Sequence, residues 1–375
     1  MPDSVSALDQ VRSQVGQVLA EFLARQRAVL PGADGELRPG LDALAALLAG
    51  GKRLRPAFCY WGWRGTGAAD GPEVLAAAAA LELLHAGALV HDDVMDGSET
   101  RRGQPALHRR FAAYHAEQGW RGSAAAFGTG AAILLGDLLL CWTDELFAAS
   151  GLGPEALARG RPVLDLMRGE VMAGQYLDLM AQASGDGSVA SALRVVEYKT
   201  ARYTIERPLH LGAALAGASI AGASITGPSI AGAGRDQAST GITAAYTGYG
   251  RPLGVAFQLR DDILGIFGDP ARTGKPAIDD LRAGKRTVLL AITRARASPA
   301  QAAVIDRWLG DPELDEAAAA EVRAVITSSG ALAECEQLIT RHLDQALGAL
   351  AAAPITAGAR AALAELAVTA TARHD

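Results

Sequence analysis

Five aspartates in two tight groups are the residues of this 375-residue chain best suited to do chemistry. In "LVHDDVMDGSETRRGQP", residues 89–105, Asp92 and Asp96 stand four apart. On a helix they would share one face, with Cβ atoms about 6 Å apart. Asp93 would lie about 100° round the same turn. Like charges at that spacing weaken a helix unless a cation lies between them. Carboxylates without His or Cys suit a hard ion such as Mg2+, which keeps several waters and shares phosphate oxygens. Arg101 and Arg102 follow at once, with the positive charge a phosphate would need.

The second group sits in "FQLRDDILGIFGDPARTGKPAIDDLRAGKRTVLL", residues 257–290. Asp261 and Asp262 again close an apolar stretch, with Asp269 and then Lys275, Lys285 and Arg286 beyond. One acidic helix end is ordinary solvated surface. Two of them, each followed by basic residues, imply two carboxylate walls facing one polyanion. Other basic residues fall near glycines or at a helix start. "GGKRLRP" (50–56) places Lys52, Arg53 and Arg55 beside two glycines that permit close backbone approach, as a phosphate cradle requires. "EYKTARYTIERP" (197–208) places Lys199 and Thr200 at the start of a helix.

The elements that must position these groups read as helices. Apolar residues recur at helical spacing over roughly 5–29, 41–49, 73–96, 124–148, 155–182, 190–217, 240–268 and 285–295, with Gly- and Pro-rich loops between. No alternating strand pattern stands out. Ala is abundant and aromatics are 5%, which leans to an all-α fold. Block 73–96 is apolar all round and belongs inside a bundle. The expectation is therefore one large helical domain over residues 1–375. A near-repeat, "SIAGASITGPSIAGA", interrupts it. Residues 219–239 read as a flexible low-complexity loop.

Composition narrows the function classes. A net charge of −6 argues against a nucleic-acid partner. Cys59, Cys141 and Cys335 are far apart in apolar surroundings and read as core thiols. The N-terminus has acids early and no basic region leading into an apolar stretch, unlike a secretory signal. The uncharged run between Arg207 and Arg235 is too rich in Gly, Ser and Thr for a membrane span. A cytoplasmic protein without a membrane span is expected.

With both acid groups in view, the sequence resembles the trans-isoprenyl (polyprenyl) diphosphate synthases over about residues 40–290. The resemblance rests on "GGKRLRP", "LLHAGALVHDDVMDGSETRRGQP", "GQYLD", "YKTARYT" and "FQLRDDILGIFGD…GKP…DDLRAGKRT", in that order. It implies an all-α, single-domain helical bundle around a deep central cavity, the class I isoprenoid synthase fold, usually a homodimer. It also implies condensation of an allylic diphosphate with isopentenyl diphosphate. By resemblance, Asp92 and Asp96 hold two Mg2+ on the allylic diphosphate and Asp261 a third, with Asp93 and Asp262 alongside. Arg101, Lys199 and Lys275 would contact the leaving diphosphate. Lys52, Arg55, His85 and Arg102 would bind isopentenyl diphosphate. Thr200 and Gln258 would face the developing cation, and Gln175 and Asp178 belong to a motif lining the same cavity.

One departure from the family pattern is Gly265, where the second motif usually ends in an acid. Reduced reliance on that acid, not inactivity, is expected. The wall one and two turns before the first cluster would carry Leu84, Gly87 and Ala88. Gly87 and Ala88 cannot block a growing chain, so geranylgeranyl diphosphate (C20) is the expected product and longer chains the next. A class I terpene cyclase would need Asn or Asp with Ser/Thr and Glu in its second motif; the chain has no Asn. A non-catalytic regulatory subunit would have no use for both acid clusters and the whole basic set.

Overall fold

The computed structural model describes residues 6–30, 32–218, 237–269 and 277–372. Two compact units emerge, one of Met1–Tyr60 with Asp70–Leu157 and the other of Trp61–Ala69 with Ala158–Asp375. Nothing in the hydrophobic pattern of the chain marks either boundary. Both units are helical.

The first unit begins with α1 (Ala7–Val29), capped where the Ser6 hydroxyl accepts from the Asp9 N–H at 3.1 Å. It continues through α2 (Arg38–Ala49), the start of α3 (Leu54–Gly65), α4 (Pro72–Met95), α5 (Leu107–Glu117) and α6 (Ala124–Ala148). Proline opens α4, where its missing N–H costs nothing. The central alanines Ala77 to Ala80 are fully buried, so α4 is the core helix its sequence demands. Leu81, Leu83 and Leu84 are buried with them, each stabilising the unit by roughly 2 kcal/mol. Against α4 lies α6, with Phe22 and Trp142 edge to face at 5.8 Å nearby. Between α4 and α5, Thr100–Arg101 and Gln104–Pro105 form a short antiparallel hairpin that the strand pattern did not reveal.

The second unit holds the rest of α7 (Pro154–Ser184), then α8 (Val189–Val195), a π-helical stretch (Val196–Glu206) and α9 (Arg207–Leu215). Sequence block 190–217 is thus three elements. A second long helix, α10 (Gln237–Phe267), packs against the π-helical stretch. The chain closes with α11 (Asp279–Arg282), α12 (Val288–Arg296), α13 (Pro299–Trp308), α14 (Glu316–Ser328), α15 (Ala331–Ala351) and α16 (Ala357–Thr371). Ile263, Ile266, Leu281, Val288 and Leu289 share one buried core with α14 and α15. Glu170 of α7 accepts from both Arg202 and Arg207 at 2.7 Å, which ties the π-helical stretch and the start of α9 to α7.

Two expectations change. Cys59 and Cys335 are buried, but Cys141 is exposed on α6 and is no core thiol. Residues 237–239 of the expected loop begin α10; the remainder, 219–236, lies outside the described residues.

Candidate active site

The first acid cluster closes α4. Its carboxylates sit at the helix end where backbone carbonyls already concentrate negative charge, a position that favours cations. Asp96 is the C-cap, its N–H donating to the Asp92 carbonyl at 2.8 Å. The three acids divide by exposure. Asp93 is 3% exposed, and Arg101 Nε donates to its two oxygens at 2.9 and 3.1 Å, with Nη2 donating to Oδ1 as well. Asp92 and Asp96 are partly buried, and Arg101 Nη2 lies 4.0 Å from Asp92. Burial works against the Arg101 charge, but Asp93, Asp92 and Asp96 outweigh it and raise its pKa.

Beside this cluster, still in the first unit, the basic residues converge on one buried acid, Glu82 of α4. Arg53 meets Glu82 at 2.5 Å and also donates to the Leu48 carbonyl. Arg102 reaches Glu82 at 3.4 Å and donates to the Leu47 and Gly50 carbonyls at 2.6 and 2.9 Å. Gly51, with φ of 107°, is glycine because a Cβ there would lie 2.7 Å from Arg102 Nη2. The glycines of "GGKRLRP" thus make room for Arg102 and Glu82. Arg53 and Arg102 are the only non-glycine residues with left-handed backbone among the described residues (φ 55° and 53°), and such strain gathers at functional sites. Desolvation, then Arg55, Arg102, Arg101 and Arg53, hold His85 well below its usual pKa, so it is neutral at pH 7. Lys52 is exposed.

In the second unit, Lys199 and Thr200 lie within the π-helical stretch, a geometry that recurs at functional sites. Two glycines let its neighbours approach. A Cβ on Gly174 of α7 would meet the Lys199 backbone at 2.5 Å, and one on Gly254 of α10 would meet Ala201 Cβ at 2.6 Å. Lys199 Nζ pairs with Asp178 at 2.7 Å, which explains two positions of "GQYLD" together. Thr200 donates to Gln258 Oε1 at 2.6 Å, and Gln258 Nε2 donates to Asp262 at 2.7 Å. Asp261 is exposed and Asp262 is 5% exposed. Burial, reinforced by Asp261 and Asp280, pushes the Asp262 carboxyl up to about 7, although Gln258 and the nearby Val288 N–H pull the other way.

Among the described residues, no three His, Cys, Asp or Glu side chains form a ready-made metal cage. Mg2+ does not need one, because it binds through one or two carboxylates with water and phosphate completing its shell. An all-oxygen donor set with the outer acids Asp92, Asp96 and Asp261 accessible fits that ion.

Residues 41–326 match the polyprenyl synthetase family model. The chain belongs to the polyprenyl synthetase family. It is accordingly a prenyltransferase with the all-α isoprenoid synthase fold. It is 32% identical over 316 residues to the geranylfarnesyl diphosphate synthase of Aeropyrum pernix, covering 83% of this chain and 86% of that protein. It is 31% identical over 301 residues to the (2E,6E)-farnesyl diphosphate synthase of Mycobacterium bovis, covering 78% and 73%. A geranylgeranyl pyrophosphate synthase from Corynebacterium glutamicum, solved with isoprenyl diphosphate and magnesium, superposes with a TM-score of 0.88 at 38% identity over 98% and 99% of the two chains. These family members are named for different product lengths.

Within this polyprenyl synthetase, the expected residues fall into two assemblies. Lys52, Arg55, His85, Arg101 and Arg102 accompany Asp92, Asp93 and Asp96 in the first unit; Lys199, Thr200, Gln258, Asp261 and Asp262 group in the second. Lys275 lies outside the described residues. The three residues expected to form the chain-length wall all lie on α4. Leu84 is fully buried, and a Cβ on Gly87 would lie 3.1 Å from the Gly136 carbonyl and 3.2 Å from Leu140 of α6. Gly87 thus serves the contact of α4 with α6, and of the three only Ala88 is partly exposed. Sequence reasoning missed Glu82. Its signal was present: a lone acid in the otherwise uncharged, buried middle of α4 must have a partner.

Proposed function

We propose that this protein makes geranylgeranyl diphosphate, in a Mg2+-dependent 1'-4 condensation of isopentenyl diphosphate with an allylic diphosphate. The single observation that carries the reading is the repeated plan of the two acid clusters, each pairing an accessible aspartate with a buried, hydrogen-bonded one. In this reading the whole chain, residues 1–375, works as one cytoplasmic polyprenyl synthase domain.

Asp92 and Asp96 would hold two Mg2+ and Asp261 the third. Bound there, Mg2+ would offset the negative charge that grows on the departing diphosphate. Asp93 keeps Arg101 fixed, while Arg101, Lys199 and Lys275 supply permanent positive charge where that negative charge develops, which lowers the barrier more than equal binding of the ground state. Asp178 keeps the Lys199 ammonium oriented. Gln258 holds the Thr200 hydroxyl hydrogen, so the Thr200 oxygen can present its lone pairs to the allylic cation. Neutral His85, with Lys52, Arg55 and Arg102, would bind isopentenyl diphosphate without adding a proton donor strong enough to quench its double bond. The proton lost after coupling would go to the departing diphosphate.

Support for C20 comes from the small side chain of Ala88 and from the geranylgeranyl pyrophosphate synthase likeness at 38% identity over nearly the whole chain. Among the described residues two helices, α4 and α6, are long and apolar enough to cross a membrane, and α4 is mostly buried. α6 instead exposes Phe127, Ile133 and Leu134, the last by 70%. A second copy of the chain would cover that face in a homodimer.

The test is incubation with Mg2+, isopentenyl diphosphate and each of dimethylallyl, geranyl and farnesyl diphosphate, then chromatography of the dephosphorylated alcohols. A ladder ending at C20 is expected. An end at C15 or beyond C20 would overturn the product assignment alone. No elongation from folded protein would overturn catalysis and favour a regulatory subunit. Light scattering after gel filtration should give a dimer mass; a monomer would leave the α6 face to another partner.

A further inference from the structure

One buried acid in the second unit holds two arginines at once. Glu170 of α7 is 7% exposed, and three bonds of 2.7 Å converge on its carboxylate, one from Arg202 Nη1 and two from Arg207 Nε and Nη2. Burial opposes its charge, but the two guanidiniums outweigh it and hold the carboxyl below its usual range. Arg202 and Arg207 are five residues apart. On an α-helix that spacing sets two side chains about 140° apart round the axis, on different sides. A π-helix bonds from i to i+5, which brings such residues one above the other. The Arg207 N–H does donate to the Arg202 carbonyl in this way. Glu197, five residues before Arg202, accepts from the Arg202 Nε at 3.1 Å. Glu197, Arg202 and Arg207 thus form a row that the wide turn assembles and Glu170 fastens.

The same stripe of α7 reaches Lys199. Glu170, Gly174 and Asp178 follow one another at intervals of four and are all buried. Where a Cβ of Gly174 would stand, the Lys199 backbone nitrogen is 2.5 Å away, so helix and stretch touch there without a side chain between them. Asp178 takes the Lys199 ammonium at 2.7 Å. One face of α7 therefore grips the wide turn at three successive levels, and Lys199 is held at the last of them. The two arginines are committed to this arrangement. Arg202 lies over the Tyr198 ring at 4.6 Å, and Arg207 Nη1 donates to His210 Nδ1 at 3.2 Å.

We propose that Glu170 is a positioning residue for the condensation: by holding Arg202 and Arg207 together it keeps the wide turn in place, and the turn sets the direction in which Lys199 is presented. A π turn is an uncommon conformation, confined mostly to single turns inside α-helices. Released from Glu170, the extra residue can settle elsewhere along the helix, and Lys199 loses its alignment with Asp178. The inference rests on the reading of Lys199 as a contact to the leaving diphosphate.

The experiment is a double-mutant cycle on the full-length protein, read as kcat and KM in the condensation assay well below each variant's melting temperature. The variants are Lys199→Met, Glu170→Gln, Arg202→Met and each of the latter two combined with Lys199→Met. Arg202→Met leaves Glu170 its bonds from Arg207, so it carries the test if Glu170→Gln does not fold. Lys199→Met should lower kcat by about 100-fold, as removal of one charge-stabilising donor does. Glu170→Gln and Arg202→Met should each lower it by about 10-fold or more, the cost of a misplaced group. In the Lys199→Met background either change should cost less than about 3-fold more, because residues that act as a unit are not additive. Lys52, Arg55 and Arg102 stand in the other unit, so KM for isopentenyl diphosphate should stay within about 2-fold. Losses that multiply in full in the Lys199→Met background would show a merely structural Glu170 and overturn the inference. Unchanged kcat in Glu170→Gln and Arg202→Met, with activity lost in Lys199→Met, would also overturn it and leave the function standing. Unchanged kcat in Lys199→Met would overturn the inference together with the reading of that lysine.

Discussion

The two acid clusters share a plan and differ in how the buried member is kept. Asp93 is locked to the Arg101 guanidinium, whereas Asp262 is held by the neutral Gln258 amide with Asp261 and Asp280 for company. The first cluster carries its own counter-charge whatever else is bound. In the second, Lys285 pairs with Asp280 at 3.2 Å. Similar sequence motifs can therefore hide unlike electrostatics. One buried acid is balanced by a guanidinium, and the other is held by a neutral amide.

The largest expected effect breaks the plan itself. Asp92→Ala should lower kcat by about 1,000-fold or more, because it removes transition-state charge stabilisation at the cluster given two ions. Asp261→Ala, at the cluster given one ion, should cost about 100-fold on the same scale. Equal losses in a steady-state condensation assay would remove the asymmetry.

Next comes the scaffold of the first unit. Glu82→Gln strands the Arg53 and Arg102 charges and should destabilise the protein by about 3–5 kcal/mol in urea denaturation. The same measurement sharpens the comparison at the buried acids. Asp93→Asn strands Arg101 and should cost about 3 kcal/mol. Asp262→Asn keeps an oxygen for Gln258 and sheds a buried charge, so it should change stability by less than about 1 kcal/mol. Equal losses would mean that both acids are held alike.

The smallest effect sets a baseline. Burial, with Arg207 adding to it and Glu206 opposing it, holds His210 down to about 4 from its usual 6.5. Between those values the unfolded chain binds more protons, so stability is full above pH 6.5 and falls as pH drops toward 4, by at most about 1.4 kcal/mol per pH unit. His210→Gln should flatten that slope in urea midpoints measured from pH 7 to 5. An unchanged slope would assign acid sensitivity elsewhere.

Much of this was legible because it is local. Asp92, Asp96 and Asp261 announce themselves by spacing on apolar helices, and α4 differs by one residue at each end from the block 73–96. What sequence could not show depends on which residues meet across the fold. Gly87 looked like an open wall and is a helix contact; Gly265 looked like a missing acid and lies against Asp280. Glu82 offered its sign through burial alone, but its two arginines could not be chosen from the basic residues without coordinates. The π-helical stretch left no compositional trace, since Lys199 and Thr200 sit in a sequence equally suited to an α-helix.

That stretch has a consequence for how the chain can vary. Each residue of an ordinary helix advances about 100° round the axis, so excising one residue from the stretch would swing everything beyond it by about that angle. Lys199 and Glu206 could then no longer both keep their sides, and Gly174 and Gly254 would lose the surfaces they fit. Between Val196 and Glu206 the chain can exchange letters more readily than it can change length. A single-codon deletion there should disable the enzyme where many single substitutions would not.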